Sequence, residues 1–181
     1  MQKRSVFAVL VLATFTAATL AQGPGGPGGG RGGRGQRRGG DATPPKLECF
    51  TYEQGSFKSD KAKDADPGYA IFLPKGYADE ANKDTKYPWA IWLHGFGGFG
   101  EFQQGGGAQV LDQLRKEEKI PAMAVVVFRA PGFRTTYLNG ESGGDIEDII
   151  VGDLLKHLQE KYRLKSEREG RAVMGVSMGG M

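Results

Sequence analysis

Cysteine and histidine are scarce in this sequence, which has one cysteine, Cys49, and two histidines, His94 and His157. A single cysteine cannot form a disulfide within the chain, and these few residues supply no Cys/His cluster for a structural zinc ion. We therefore expect no disulfide framework and no structural zinc site. Cys49 is interpreted as a buried thiol, with a bond to a cysteine outside these residues as the alternative.

An excess of positive charge is missing from most of the chain, even though the net charge is +3. Residues 1–45 contain six Lys or Arg and one acidic residue, and the whole-chain totals of 24 and 21 leave 18 basic and 20 acidic residues for the remainder. A slightly acidic remainder offers no basic surface to nucleic acid, so no nucleic-acid partner is expected.

Long apolar runs are limited to one mainly apolar stretch, residues 6–20, which follows Lys3 and Arg4. A basic start, an apolar run of this length and a small residue, Ala21, at its end are typical of a secretory signal peptide. We predict a signal peptide at residues 1–21, a secreted or periplasmic protein, and no membrane span after cleavage. An uncleaved N-terminal anchor is the alternative interpretation.

Residues 22–45 consist almost entirely of glycine, proline and arginine. Such a segment has too little apolar surface to offset the entropy lost on ordering, so it is predicted to be a disordered linker. Arg-Gly-Gly repeats can bind single-stranded nucleic acid, but no aromatic residue that would stack on a base is present here. The folded domain is therefore expected to occupy residues 46–181.

Short apolar runs alternate with amphipathic stretches from residue 67 onward, a pattern typical of strands and crossover helices in a largely parallel sheet. The predicted helices, in which apolar residues recur at three- and four-residue spacing, cover residues 110–120 and 146–162. The sequence thus predicts an α/β fold with helices flanking the sheet. The predicted strands are residues 69–73, paired with an earlier strand within 49–57, then 89–93, 123–128 and the run entering Ser177.

Ser177 lies in the pentapeptide Gly175-Val176-Ser177-Met178-Gly179, directly after the apolar run 172–174. Gly-x-Ser-x-Gly after a strand is the sequence form of a nucleophile elbow, a strained strand-to-helix turn that exposes the serine hydroxyl. The motif therefore predicts Ser177 as a nucleophile. In elbow enzymes the acid and the histidine of the triad follow the serine, whereas only four residues follow it here.

A second Gly-x-Ser-x-Gly match is centred on Ser142. The residues before it, 135–139, are polar and aromatic and follow a Pro-Gly pair, so no buried strand leads into the turn. A loop is the preferred interpretation of this match, and Ser142 is the weaker candidate nucleophile.

A glycine-rich loop, His94-Gly95-Phe96-Gly97-Gly98, follows the predicted strand 89–93. Acyl transfer needs backbone N–H donors aimed at a tetrahedral oxyanion, and elbow hydrolases take one donor from such a loop and one from the residue after the nucleophile. The predicted donors are therefore the N–H of Phe96, or of Gly97, and the N–H of Met178. A glycine-rich turn that only clears the adjacent helix is the alternative interpretation.

Neither histidine lies downstream of the elbow serine, where an elbow enzyme carries its base. His94 is instead expected to order its own loop through a hydrogen bond, and His157 to be a surface or half-buried residue of the long helix. The carboxylates of Asp145, Glu147 and Asp148 would suit a metal ion, but their position at a predicted helix start is better explained by capping and by the helix dipole.

The glycine-rich loop after a strand, the long helix 146–162 and the ending Met174-Gly-Val-Ser-Met-Gly-Gly180 resemble the putative-esterase branch of the α/β-hydrolases. That branch includes esterase D, feruloyl and acetyl-xylan esterases, and the mycolyltransferases. The resemblance covers about residues 67–181, the amino-terminal half of such a domain. It implies an α/β-hydrolase fold, mostly parallel with flanking helices and truncated just after the nucleophile elbow. It also implies Ser177 as nucleophile, with the N–H groups of Phe96 and Met178 as the oxyanion hole.

The resemblance further implies a reaction on a small-molecule or carbohydrate ester. Ser177 attacks the carbonyl, the two N–H groups stabilise the oxyanion, and water releases the acyl group. This reaction is expected to need no metal or organic cofactor. A serine peptidase or an acyltransferase on the same fold is an alternative, as is a secreted non-catalytic binding domain. Without a downstream histidine these 181 residues alone are expected to be inactive, and the strand entering Ser177 is expected to be an exposed apolar edge.

Overall fold

The structure is a computed structural model that describes residue 44 and residues 46–63, 65–131, 136–140 and 143–181. The predicted signal peptide 1–21, all but one residue of the predicted linker 22–45, and Ser142 lie outside the described residues. Among the residues that are described, no helix is both long and apolar enough to cross a lipid bilayer.

Five strands form one sheet in the order β1-β2-β4-β3-β5. β2 is antiparallel to both of its neighbours, whereas β3 is parallel to β4 and to β5, so four of the five strands run in the same direction. This is the mostly parallel sheet that the sequence predicts, including the pairing of the second strand with the first. The strands are β1 (Phe50–Ser56), β2 (Gly68–Pro74), β3 (Trp89–Leu93), β4 (Ala124–Arg129) and β5 (Arg171–Gly175).

Helices cover both faces of the sheet at its three central strands, β2, β4 and β3, because alternate residues of these strands point to opposite faces and both sets are apolar. One face carries α1 (Glu101–Gln104) and α2 (Gly107–Lys116). The other carries a long helix made of α3 (Ile146–Asp148), a π-helical segment (Ile149–Leu154) and α4 (Leu155–Lys161). The buried side chains beneath α1 and α2 include Phe72, Phe102, Leu111, Val125 and Val127, and those beneath the long helix include Ile71, Val126, Phe128, Ile146, Ile149, Leu154 and Leu158.

The helix ends differ from the sequence prediction to different degrees. The long helix predicted over 146–162 is confirmed to within one residue, Tyr162 being extended. The helix predicted over 110–120 is shifted, because α2 begins at Gly107 and ends at Lys116, and Val110, expected on the buried face, is exposed. Ala108 is fully buried there instead, and a side chain this small adds little to the apolar periodicity on which the prediction depends.

The segment before β1 is tied to α2 by the carboxylate of Asp112. This carboxylate accepts the N–H of Glu48 at 3.0 Å and the N–H of Cys49 at 2.7 Å. Cys49 is a free thiol among the described residues, but it is half-buried and not buried as predicted, because it packs at the margin of the apolar cluster beneath α2.

β5 forms one edge of the sheet and pairs, within the described residues, only with β3. All five of its residues are exposed, including Val173, whose exposed fraction is 65%. The expectation that the strand entering Ser177 is an exposed apolar edge is confirmed.

Candidate active site

The parallel pairing of β3 with β5 brings two loops to one edge of the sheet. Leu93 and Gly175, the last residues of these strands, are partners in the register, and the N–H of Val176 donates to the Leu93 carbonyl at 3.3 Å. The carboxyl ends of parallel strands lie at the same edge of a sheet. The loop 94–98, which follows β3, and Ser177, which follows β5, therefore begin next to each other. The structure therefore brings together the two parts of the site that the motifs predict.

Ser177 occupies a strained turn between β5 and a short 3₁₀ helix (Ser177–Gly180). Its φ is 52°, in the left-handed region that serine rarely adopts, and the residue is exposed. The turn is closed by the N–H of Gly179, which donates to the carbonyl of Val176 at 2.9 Å. A strained, exposed serine between a strand and a helix has the geometry of a nucleophile elbow.

The glycines on either side of Ser177 are required by close backbone packing. A Cβ added at Gly175 would lie 1.9 Å from the carbonyl oxygen of Gly179, and one added at Gly179 would lie 2.1 Å from the carbonyl oxygen of Leu93. Both obstacles are backbone atoms, which cannot rotate away as a side chain can. Any larger residue at either position would therefore change the path of the chain around Ser177.

The glycine-rich loop forms a tight turn over residues 95–98. The N–H of Gly98 donates to the Gly95 carbonyl at 3.1 Å, and Gly98 has a φ of 86°. Phe96 and Gly97 therefore stand at the corners of the turn, with the Phe96 side chain 74% exposed. A Cβ added at Gly95 would lie 3.3 Å from the Cβ of Ser177, so the turn and the elbow approach each other closely.

The two predicted oxyanion donors, Phe96 and Met178, lie on these two neighbouring segments. Among the described residues, neither N–H has a protein acceptor. The Met178 side chain is buried in the same apolar cluster as Tyr137 and Ile146, so it anchors the short helix after Ser177 to the domain. Backbone N–H groups that are held in place and have no protein acceptor can donate hydrogen bonds to the oxyanion that develops during acyl transfer.

Two residues that the sequence analysis did not single out hold the glycine-rich loop. The Glu101 carboxylate accepts the N–H of Gly95 at 2.5 Å. The Tyr137 hydroxyl donates to the carbonyl of His94 at 3.0 Å, and its ring meets the His94 imidazole edge-on at a centroid distance of 5.7 Å. Burial raises the pKa of Tyr137, which keeps the phenol protonated as a donor.

Neither histidine is hydrogen-bonded to Ser177 in the part of the chain that the structure describes. His94 Nδ1 donates to the Gly95 carbonyl at 2.8 Å, which confirms that this residue orders its own loop. His157 is half-buried on the long helix, as predicted, and its Nε2 lies 3.1 Å from the Tyr69 hydroxyl. Burial, assisted by the charge of Lys161, lowers the pKa of His157.

Two of the three acidic residues at the start of the long helix, Asp145 and Asp148, make hydrogen bonds within the domain. Asp145 stands at the N-cap position but makes no capping hydrogen bond, and its Oδ1 accepts the N–H of Gly140 at 3.1 Å. The capping role expected for Asp145 is performed by Asn139, whose Oδ1 accepts the N–H of Asp148 at 3.2 Å. No group of three acidic, His or Cys side chains in the described ranges is arranged to hold a metal ion.

Comparison with known proteins gives consistent matches. The family model described as "Putative esterase" matches residues 61–181. A curated endo-1,4-beta-xylanase/feruloyl esterase of Xylanibacter ruminicola is 28% identical over 121 residues, which is 61% of this chain and 16% of that protein. A solved ferulic acid esterase superimposes with a TM-score of 0.63 at 27% identity, over 73% of this chain and 52% of the other.

A second solved structure, a CE1 ferulic acid esterase from Anaeromyces mucronatus in complex with ferulic acid, superimposes with a TM-score of 0.57 at 20% identity. The match covers 81% of this chain and 53% of that one. The chain thus spans about half the length of the solved structures that it resembles, and a smaller part of the curated relative. The family match over most of the described domain, together with the sheet order and its flanking helices, establishes that the chain belongs to the "Putative esterase" family and has the α/β-hydrolase fold.

Proposed function

We propose that this protein is a secreted serine esterase that hydrolyses carboxylic esters through an acyl-enzyme on Ser177. The observation that carries the proposal is the strained, exposed Ser177 at the end of β5, beside the glycine turn 95–98. Membership of an esterase family supports the same reaction class. The proposal concerns the whole gene product, because the chain spans only part of the length of its relatives.

In this mechanism Ser177 Oγ attacks the ester carbonyl, and the N–H groups of Phe96 and Met178 donate to the oxyanion. A histidine base accepts the Ser177 proton and returns it to the departing alcohol, and water then attacks the acyl-enzyme. Neither His94 nor His157 is proposed as that base, because both make other contacts and neither bonds the serine among the described residues. Residues 1–181 alone are therefore proposed to be inactive.

The proposed substrate class is a small ester or an acyl group carried on carbohydrate. Two observations support it: the relatives include ferulic acid esterases, one of them solved with ferulic acid, and the exposed Phe96 ring lies on the turn next to Ser177. An exposed aromatic ring beside a nucleophile offers a stacking surface to an aromatic acyl group.

The test of the nucleophile combines labelling with kinetics on the full-length protein. A fluorophosphonate probe should label Ser177, and Ser177→Ala should abolish labelling and lower kcat by about 10⁴-fold or more. Ser166→Ala, at an exposed position remote from the elbow, serves as the matched control and should retain both. A correctly folded wild-type protein that takes up no label would leave only the non-catalytic binding domain.

The reaction class is tested with a substrate panel of p-nitrophenyl acetate, methyl ferulate and a peptide anilide. A higher kcat/KM on methyl ferulate than on the acetate supports an aromatic acyl site. Preferred cleavage of the anilide would replace the esterase proposal with a peptidase. Transfer of the acyl group to an added alcohol in preference to water would replace it with an acyltransferase.

Export is tested separately, by sequencing the N-terminus of the protein recovered from the medium or periplasm. Cleavage after Ala21 is expected, and an intact N-terminus on membrane-bound protein would favour the anchor instead.

A further inference from the structure

We infer that Glu101 is a positioning residue that holds the turn 95–98 against Ser177, so that the corner N–H groups of the turn face the reaction site. This inference rests on the proposed function and adds a residue that the motifs do not identify. The structural basis is a direct hydrogen bond: Glu101 Oε2 accepts the N–H of Gly95 at 2.5 Å.

The Glu101 side chain also fills the space beneath the turn. A Cβ added at Gly95 would lie 3.2 Å from Glu101 Oε2, and one added at Gly97 would lie 3.1 Å from Glu101 Cδ. Both glycines therefore pack directly on the carboxylate. The same added Cβ at Gly95 would lie 3.2 Å from the carbonyl oxygen of Val176, so Gly95 is held between Glu101 and the elbow.

Glu101 is itself held in place by its backbone. Its N–H donates to the Gly98 carbonyl at 2.9 Å, and its carbonyl accepts the N–H of Gly105 at 2.8 Å. The next residue of α1, Phe102, is buried in the apolar cluster between this helix and the sheet. A side chain whose backbone is anchored and whose carboxylate packs against Gly95 and Gly97 can hold the turn in place, as a positioning group must.

The hydrogen bond has a chemical consequence for the loop. The Gly95 N–H is committed to the carboxylate, whereas the N–H groups of Phe96 and Gly97 have no protein acceptor among the described residues. A negative charge near a developing oxyanion opposes catalysis, so the benefit of Glu101 must come from its acceptor oxygen and not from its charge. A neutral acceptor of the same shape should therefore replace it.

The experiment compares Glu101→Ala, Glu101→Gln and Glu101→Met in the full-length protein, with Gln104→Ala on the exposed side of the same helix as the control. Glu101→Ala and Glu101→Met should lower kcat about 10–100-fold and leave KM within about twofold of the wild type. The reason is that the N–H donors of the turn bond the oxyanion in the transition state and not the ester in the ground state. Glu101→Gln should stay within about threefold of the wild-type kcat, since its amide oxygen can still accept the N–H. Gln104→Ala should match the wild type.

A second measurement, amide hydrogen exchange at Gly95, does not depend on catalysis. Exchange should accelerate about tenfold or more in Glu101→Ala and Glu101→Met but not in Glu101→Gln. Wild-type kcat and wild-type exchange in Glu101→Met would overturn the inference, as would a loss in Glu101→Gln equal to that in Glu101→Ala. If Ser177→Ala remains active the proposed function fails, and the exchange rates still decide whether Glu101 holds the turn.

Discussion

Replacing Gly179 by alanine should disrupt the turn that carries Ser177. An alanine Cβ would lie 2.1 Å from the Leu93 carbonyl oxygen and 2.5 Å from its carbon, whereas real Cβ contacts essentially never fall below 3.0 Å. The Leu93 oxygen cannot retreat easily, because it ends the strand that pairs with both β4 and β5 and accepts the N–H of Val176. Relief of the clash therefore requires movement of the elbow backbone.

The magnitude follows from the rigidity of that contact. Overpacking a well-ordered site costs about 1–3 kcal/mol, and a backbone clash of this depth should reach at least the upper value. With a urea slope of about 1–3 kcal/mol per molar, a loss of about 3 kcal/mol lowers the unfolding midpoint by about 1–3 M. Labelling of Ser177 by a fluorophosphonate should be lost as well, because the serine moves with the turn.

Gly180→Ala provides the matched control one residue away. An alanine Cβ at this position would lie 3.5 Å from its nearest neighbour, the Gly175 carbonyl oxygen, which is an ordinary contact. The free energy of unfolding should therefore change by less than about 0.5 kcal/mol. Both variants are measured in the full-length protein by urea unfolding and by probe labelling. Equal midpoints and equal labelling in Gly179→Ala and Gly180→Ala would refute the argument from close packing.

Three further variants test contacts around the site and the fold. Tyr137→Phe removes the donor to the His94 carbonyl and should cost about 0.5–1.5 kcal/mol of unfolding free energy, and an unchanged urea midpoint would show that this hydrogen bond is unimportant. Burial and the Lys161 charge lower the pKa of His157 below its usual value of about 6.5, so the unfolded state binds the proton more tightly and wild-type stability should fall as the pH drops through that value. His157→Gln should show a smaller loss in urea midpoint between pH 7 and pH 5, and an equal loss would contradict the assignment. Asp112→Ala removes the acceptor for two backbone N–H groups and should cost about 1–3 kcal/mol by thermal or urea unfolding, with no change expected in Ser177 labelling.

Most of the fold was predictable because its signals are local. Short apolar runs locate the strands, since a strand buried on both faces needs a continuous run of apolar and β-branched residues. The long helix is equally clear from its apolar spacing. The position of α2 was less predictable, because its contact with the sheet includes Ala108, a side chain too small to mark a face. The π-helical segment Ile149–Leu154 was not predicted, since one extra residue per turn leaves no distinct mark in the apolar pattern.

The candidate site was likewise predictable only in part. Ser177 and the turn 95–98 are recognisable because their glycines form short sequence motifs, although the requirement for Gly179 arises from the Leu93 carbonyl oxygen of a different strand. The contacts of Glu101 and Tyr137 were missed, because apolar patterns and glycine motifs do not show which backbone group a polar side chain meets. Glu101 bonds a residue six positions earlier, and Tyr137 bonds one in a distant segment. An acidic residue soon after the glycine-rich loop was the available signal for Glu101, whereas the sequence gives no equivalent signal for Tyr137.

The amino-acid sequence by itself determined which residues form strands, where the chain turns sharply, and which serine stands in the strained turn. These properties depend on backbone sterics and on apolar patterns within a few residues of each position. Only the tertiary structure decided that β3 lies beside β5, that the glycine turn meets the elbow, and that Glu101 and Tyr137 hold the loop. The pairing of β3 with β5, the approach of the turn to the elbow and the Tyr137 hydrogen bond join residues distant along the chain. The Glu101 contact spans only six residues, but it depends on how the chain turns back between Gly95 and α1.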